Sequence, residues 1–200
     1  MSAIKLQSKS DQDLVHQYLQ GHESSLEELI RRHKTKIYTS IYLLVKDSYL
    51  AEDIFQDTFI KVINTLKAGK YNEEGKFLPW VIRIAHNLVI DHFRKEKRTP
   101  VVTTVDGFDI FEVLKFYDES TEDRIIREQT HRDLRELIHL LPAEQKEVLI
   151  MRHYGELSFK EISDITDVSI NTALGRMRYA LNNLRKMMMS KELSLKNTEG

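Results

Sequence analysis

Two hundred residues with a net charge of −1 and no cysteine exclude a disulfide scaffold, a thiolate metal site and a simple cationic coat for nucleic acid. Hydrophobic side chains make up 41% of the chain, enough for one ordinary core or two modest ones, and 7 Gly with 3 Pro are too few for a turn-dense β architecture. The first residues are polar and the longest apolar run is Ile41 to Val45, so the expectation is a cytoplasmic protein with neither signal peptide nor membrane span.

The first predicted element is a short helix from Asp11 to Leu19. Ser10 is its N-cap, Asp13 completes a capping box, and Gly21 stops it. A second helix follows over about 25–45, with Leu26, Leu29, Ile30, Ile37, Ile41 and Leu44 in helical spacing. Asp47-Ser48 breaks that pattern and caps a third helix, about 49–67. There Ile54, Phe55, Thr58, Phe59, Val62, Ile63 and Leu66 make one wide apolar stripe. The stretch 68–76, AGKYNEEGK, is a loop. Pro79 sits in the first turn of a fourth helix, about 78–97, where its missing N–H costs nothing. That helix ends in a cationic cluster, Arg94 to Arg98, which complements the macrodipole.

From 101 to about 122 the helical period is lost, and 103–123 carries seven acids against the single base Lys115. This reads as an acidic linker between two helical domains, although Phe108, Phe111, Phe116 and Tyr117 make it too apolar for a purely solvated tether. Beyond it, helices are predicted over about 123–140 and 143–153. Ser158 with Glu161 then forms a second capping box opening a short helix, Phe159 to Ile165. A tight turn at Asp167-Val168-Ser169 leads to a last helix, capped by Ser169 and running to about Met189, followed by a frayed tail. The fold class is therefore all-α: two helical domains joined by an acidic linker, the C-terminal one a helix-turn-helix.

Two constellations carry chemistry. The stretch 170–191 holds five basic residues and no acid, and a short capped helix, a tight turn and a basic helix suit insertion into a major groove. The alternative is a pair of bundle helices with a solvated cationic face. The helix 78–98 combines Trp80, Arg83, His86, Asn87, His92, Arg94 and Lys95. Rings that stack on unpaired bases and cations that follow phosphates are what single-stranded nucleic acid requires. Against this, Trp80 and Phe93 are also ordinary core residues, and 94–98 an ordinary solvated helix end.

Three segments then resemble one known family. AEDIFQDTFIKVIN (51–64) resembles the polymerase-binding signature of bacterial sigma factors, and FLPWVIRIAHNLVIDHFRKEKR (77–98) resembles the segment that melts and reads the −10 promoter element. The run 141–186 resembles the domain that reads the −35 element. Their order is similar to that of the extracytoplasmic-function (ECF) group, which keeps only these two domains. The resemblance implies a region-two-like domain at 1–100, the acidic linker at 101–122, a region-four-like helix-turn-helix domain at 123–190 and a disordered tail at 191–200.

It further implies residue roles. Asp53, Gln56 and Asp57 fall on the surface that docks on the β′ clamp helices of core RNA polymerase; at i, i+3 and i+4 they share one helix face. Lys70, Tyr71 and Asn72 fall in the loop that captures a flipped base. Trp80, Arg83, Asn87, Arg94, Lys95, Lys97 and Arg98 fall on the −10 reading surface, with Asp91 placed to orient a neighbouring arginine. Ser169, Asn171, Thr172, Leu174, Arg176, Arg178 and Arg185 fall on the −35 reading helix. Leu174 departs from the family pattern, which has a cation there; either the −35 preference is unusual or the leucine meets a thymine methyl. Gly175 inside the helix implies close approach to DNA or to a packing partner. The acidic linker would thread the path of nascent RNA.

The implied partners are core RNA polymerase, promoter DNA and an anti-sigma factor. The implied chemistry is promoter recognition with no catalysis, no cofactor and no metal. Two other readings are a DNA-binding regulator that acts without polymerase and a metal-dependent hydrolase built on the eight histidines. No His pair at i, i+4 with an intervening Glu supports the latter.

Overall fold

A computed structural model describes residues 8–72, 75–96 and 134–198. The acidic linker, Lys97 and Arg98 lie outside them. Every described element is a helix: α1 Asp11–Leu19, α2 Glu23–Val45, α3 Ser48–Lys67, α4 Phe77–Glu96, α5 Ala143–His153, α6 Phe159–Thr166 and α7 Ile170–Thr198. A helical segment over 134–139 precedes α5. Among the described residues no helix is long and apolar enough to cross a membrane. The chain divides into two compact units, one built on α1–α4 and the other on α5–α7.

In the first unit α2 packs against α1, α3 and α4, and α3 packs on α4. The cause is the apolar stripe on each helix. Leu29, Ile37 and Leu43 of α2 are completely buried, as are Ala51 and Val62 of α3 and Val81 of α4. A buried Leu or Ile contributes about 1.5–3 kcal/mol, more than the roughly 0.7 kcal/mol that separates ordinary residues in helix propensity. Leu43, rather than the expected Leu44, enters this core, because the stripe on α2 drifts across its 23 residues.

With nine residues, α1 is too short to persist alone, since isolated helices need about 12–15. It is fixed at both ends. Ser10 accepts from the Asp13 N–H at 3.1 Å while Asp13 reaches back to the Ser10 N–H at 3.3 Å, the expected capping box. Leu14, Val15 and Tyr18 are buried, and Asp11 takes hydrogen bonds from α2. By contrast α2 begins at Glu23, two residues before the expected start and without a side-chain cap on His22.

The end of α3 sets the loop that follows. Gly69 adopts the left-handed region at φ +64, its N–H meets the Leu66 carbonyl at 3.0 Å, and the Lys70 N–H meets the Thr65 carbonyl at 3.1 Å. This Schellman-type closure turns the chain sharply, and glycine tolerates the required φ where other residues pay strain.

In the second unit α7 packs on α5 and α6. Ser158 caps α6 through the predicted box with Glu161. Asp167, left-handed at φ 53, and Ser169 form the turn into α7. Arg152 pins α5 to the start of α6: it donates to the Leu157 carbonyl at 2.8 Å and lies 5.3 Å over the Phe159 ring. Asn183 of α7 donates to Gln145 of α5 at 2.9 Å. The last helix continues to Thr198, past the Met189 end and into the segment expected as a disordered tail. The reason is local, since 186–198 is rich in Lys, Met, Leu and Glu and has neither Gly nor Pro to stop it.

Candidate nucleic-acid interface

The first unit presents an aromatic platform where the loop meets α4. Phe77, the first residue of α4, is 1% exposed and forms its floor. Trp80, one turn on and half-buried, has its ring centroid 5.9 Å from Phe77. Tyr71 of the loop lies 4.3 Å from Trp80 and 6.4 Å, edge-on, from Phe77. Lys70 and Asn72, beside Tyr71, are exposed. Trp80 is thus neither a plain core residue nor a free ring: one face packs on the unit and part meets solvent.

From this platform an exposed polar stripe runs along α4. Arg83, Asn87, Asp91, Arg94 and Lys95 are all exposed and follow helical spacing. Asp91 lies 3.7 Å from Arg94, an exposed i, i+3 ion pair. His86, in contrast, is buried at 5% exposure and points away from the stripe.

A second surface lies on α3. Asp53, Gln56 and Asp57 are exposed together, while Ile54, Phe55 and Phe59 are buried on the opposite side. Sequence reasoning missed that two exposed apolar side chains share this surface, Tyr49 at 76% and Ile60 at 56%. Their spacing carries the signal: 49, 53, 56 and 60 repeat at helical intervals, yet 49 and 60 fall outside the core stripe.

The third surface is α7. Asn171, Thr172, Leu174, Arg178 and Arg185 are exposed. Ala173, Ala180 and Leu184 form the buried face. Ser169 spends its hydroxyl on capping, accepting from the Thr172 N–H at 3.0 Å and pairing with the Thr172 hydroxyl at 2.8 Å. Arg176 lies round the helix towards the buried face and is half-buried. Leu174 is 43% exposed and stands with Asn171 and Arg178 on the outer face.

A side chain at Gly175 would meet no atom within 4 Å, so no packing partner among the described residues requires glycine there. Gly175→Ala is therefore expected to raise the unfolding free energy by about 1 kcal/mol, read from thermal unfolding. A loss of stability would mean that the helix needs glycine for its own fold.

Comparison with known proteins agrees with the all-helical fold. The family described as Sigma-70 region 2 matches residues 29–99, and Sigma-70, region 4 matches residues 131–182. The ECF RNA polymerase sigma factor SigW of Bacillus subtilis is 26% identical over 178 residues, 87% of this chain and 94% of the relative. The RNA polymerase sigma-H factor of Pseudomonas aeruginosa is 27% identical, covering 86% of this chain and 90% of its own length. Among solved structures, the sigma factor RpoE in complex with the anti-sigma factor NepR from Bartonella quintana superposes with a TM-score of 0.61. Its identity is 17%, over 82% of this chain and 96% of that one, a likeness of fold.

Proposed function

The chain belongs to the sigma-70 family, in its extracytoplasmic-function group, and from that premise we propose how its surfaces divide promoter-specific transcription initiation between them. Sigma factors direct RNA polymerase to promoters and are not themselves catalysts; this chain makes no bonds of its own and works in the cytoplasm as a polymerase subunit.

The α3 surface docks on the β′ clamp helices. Asp53, Gln56 and Asp57 supply charge and hydrogen bonds there, and Tyr49 and Ile60 supply apolar anchors at its edges. The platform and stripe of α4 hold the non-template strand of the −10 element once it opens. Tyr71 and Trp80 stack on unpaired bases, Asn87 hydrogen-bonds a base edge, and Arg83, Arg94 and Lys95 follow the phosphates. Lys70 and Asn72 border the pocket that takes a flipped base. The outer face of α7 lies in the major groove of the −35 duplex. There Asn171 and Leu174 meet base edges, Arg178 and Arg185 meet phosphate, and Ser169 and Thr172 hold the helix N-terminus towards the backbone. Gly175, open on its outer side, lets that helix approach closely. Arg176, half-buried at the edge of that face, meets the DNA backbone.

One observation supports this reading above the rest: a half-exposed Trp80–Tyr71 ring pair at the head of an exposed Arg83–Asn87–Arg94 stripe. An anti-sigma factor, as accompanies the Bartonella RpoE, is the further partner, and it would cover surfaces needed for polymerase or DNA.

A mobility-shift comparison tests the division of labour. With core polymerase, the protein is expected to form a specific complex on promoter duplex and to protect the −10 strand. Tight specific binding to duplex without polymerase would instead indicate a stand-alone regulator.

A further inference from the structure

His33 occupies a core position of α2, between the completely buried Leu29 and Ile37 one turn to either side, and is itself 9% exposed. A buried imidazole is costly unless its polar atoms are bonded. Here Nε2 lies 2.6 Å from Asp11 Oδ2 of α1. The other Asp11 oxygen accepts from Arg32 at 2.6 Å, and Arg32 reaches Glu28 at 3.5 Å. Burial raises the Asp11 pKa, but the hydrogen bonds and charges of His33 and Arg32 outweigh it and hold the carboxyl below its ordinary value.

The ring of His33 meets Phe77, with centroids 5.9 Å apart. Phe77 is the floor on which Trp80 and Tyr71 rest. A continuous set of contacts therefore links α1 to the platform: Asp11, His33, Phe77, then the two half-buried rings. A leucine would fill the same space more cheaply. What the imidazole adds is orientation, because a ring tethered to a carboxylate cannot rotate freely, and a surface is held to a fraction of an ångström only when its supports are locked.

We propose that His33, tethered by Asp11, is a positioning residue for the strand-stacking platform of Trp80 and Tyr71. The inference deepens the reading of that platform given under the proposed function and depends on it. It makes α1, which touches no nucleic acid in that reading, a determinant of how well opened DNA is held.

The chain has a single tryptophan, Trp80, so its intrinsic emission reports the platform directly in the full-length free protein. His33→Ala and Asp11→Ala are expected to shift the Trp80 emission maximum in the folded state. They should also weaken binding of a fluorescent single-stranded oligonucleotide to the holoenzyme by roughly 3- to 10-fold, the usual size of coupling between contacting residues. His33→Phe keeps the ring but loses the tether, and should restore part of both signals. It also keeps the test open should His33→Ala fail to fold. A folded Asp11→Ala or His33→Phe chain whose emission and strand binding match the wild type would overturn the proposal, even with a lowered melting temperature. Wild-type strand binding by Trp80→Ala would overturn the platform reading instead, whatever the His33 variants do.

Discussion

Reversing Asp53 and Asp57 together to lysine is expected to weaken binding to core RNA polymerase by at least about 30-fold, the equivalent of roughly 2 kcal/mol or more. Both carboxylates are exposed on α3, four residues apart, while the core of that helix lies on the opposite side in Ile54, Phe55 and Phe59. The substitution therefore leaves the helical fold intact, and circular dichroism should not change. On the proposed docking surface, two reversed charges add repulsion to the lost pairs, and so the effect exceeds that of a double alanine. The measurement is a fluorescence titration of labelled protein with core enzyme. An unchanged dissociation constant would remove α3 from the polymerase interface.

Trp80→Ala is expected to reduce formation of strand-opened complexes by roughly 5- to 150-fold, since one aromatic–base stack is worth about 1–3 kcal/mol. Holoenzyme assembly should be untouched, because Trp80 lies on α4 and the proposed docking surface on α3. Trp80→Phe keeps a ring and should retain much of the activity, separating stacking from mere bulk. Permanganate reactivity of unpaired thymines at the −10 element reads the result. Full reactivity in the alanine variant would assign strand capture to other residues.

How much of this was legible in the sequence depended on the kind of signal. Helix starts with cap chemistry were read to the residue: Ser10 with Asp13, Asp47 before α3 and Ser158 with Glu161 all cap as expected. A start without a side-chain cap, at His22, left no such mark, and α2 begins earlier than its apolar period suggested. The end of α7 was missed for the opposite reason. Polar residues after Met189 looked like a tail, but helix formers with no breaker continue a helix already anchored by packing.

Site residues separated along the same line. The shared face of Asp53, Gln56 and Asp57 and the Asp91–Arg94 pair follow from helical spacing alone. The partial burial of Arg176 did not, because its place round α7 depends on which face the unit buries. The aromatic platform joins Tyr71 of a loop to Trp80 of a helix, and nothing in the sequence gives the distance between two such residues. His33 was visible as a polar residue within an apolar period, a sign that passed unread because its partner, Asp11, lies 22 residues away on another helix.

The most direct test of the central claim is sequencing of transcripts made by this protein and core polymerase on genomic DNA. The account predicts a small set of discrete start sites that vanish when core is used alone, sharing one upstream duplex element and one −10 element. Start sites no different from those of core enzyme alone would contradict it.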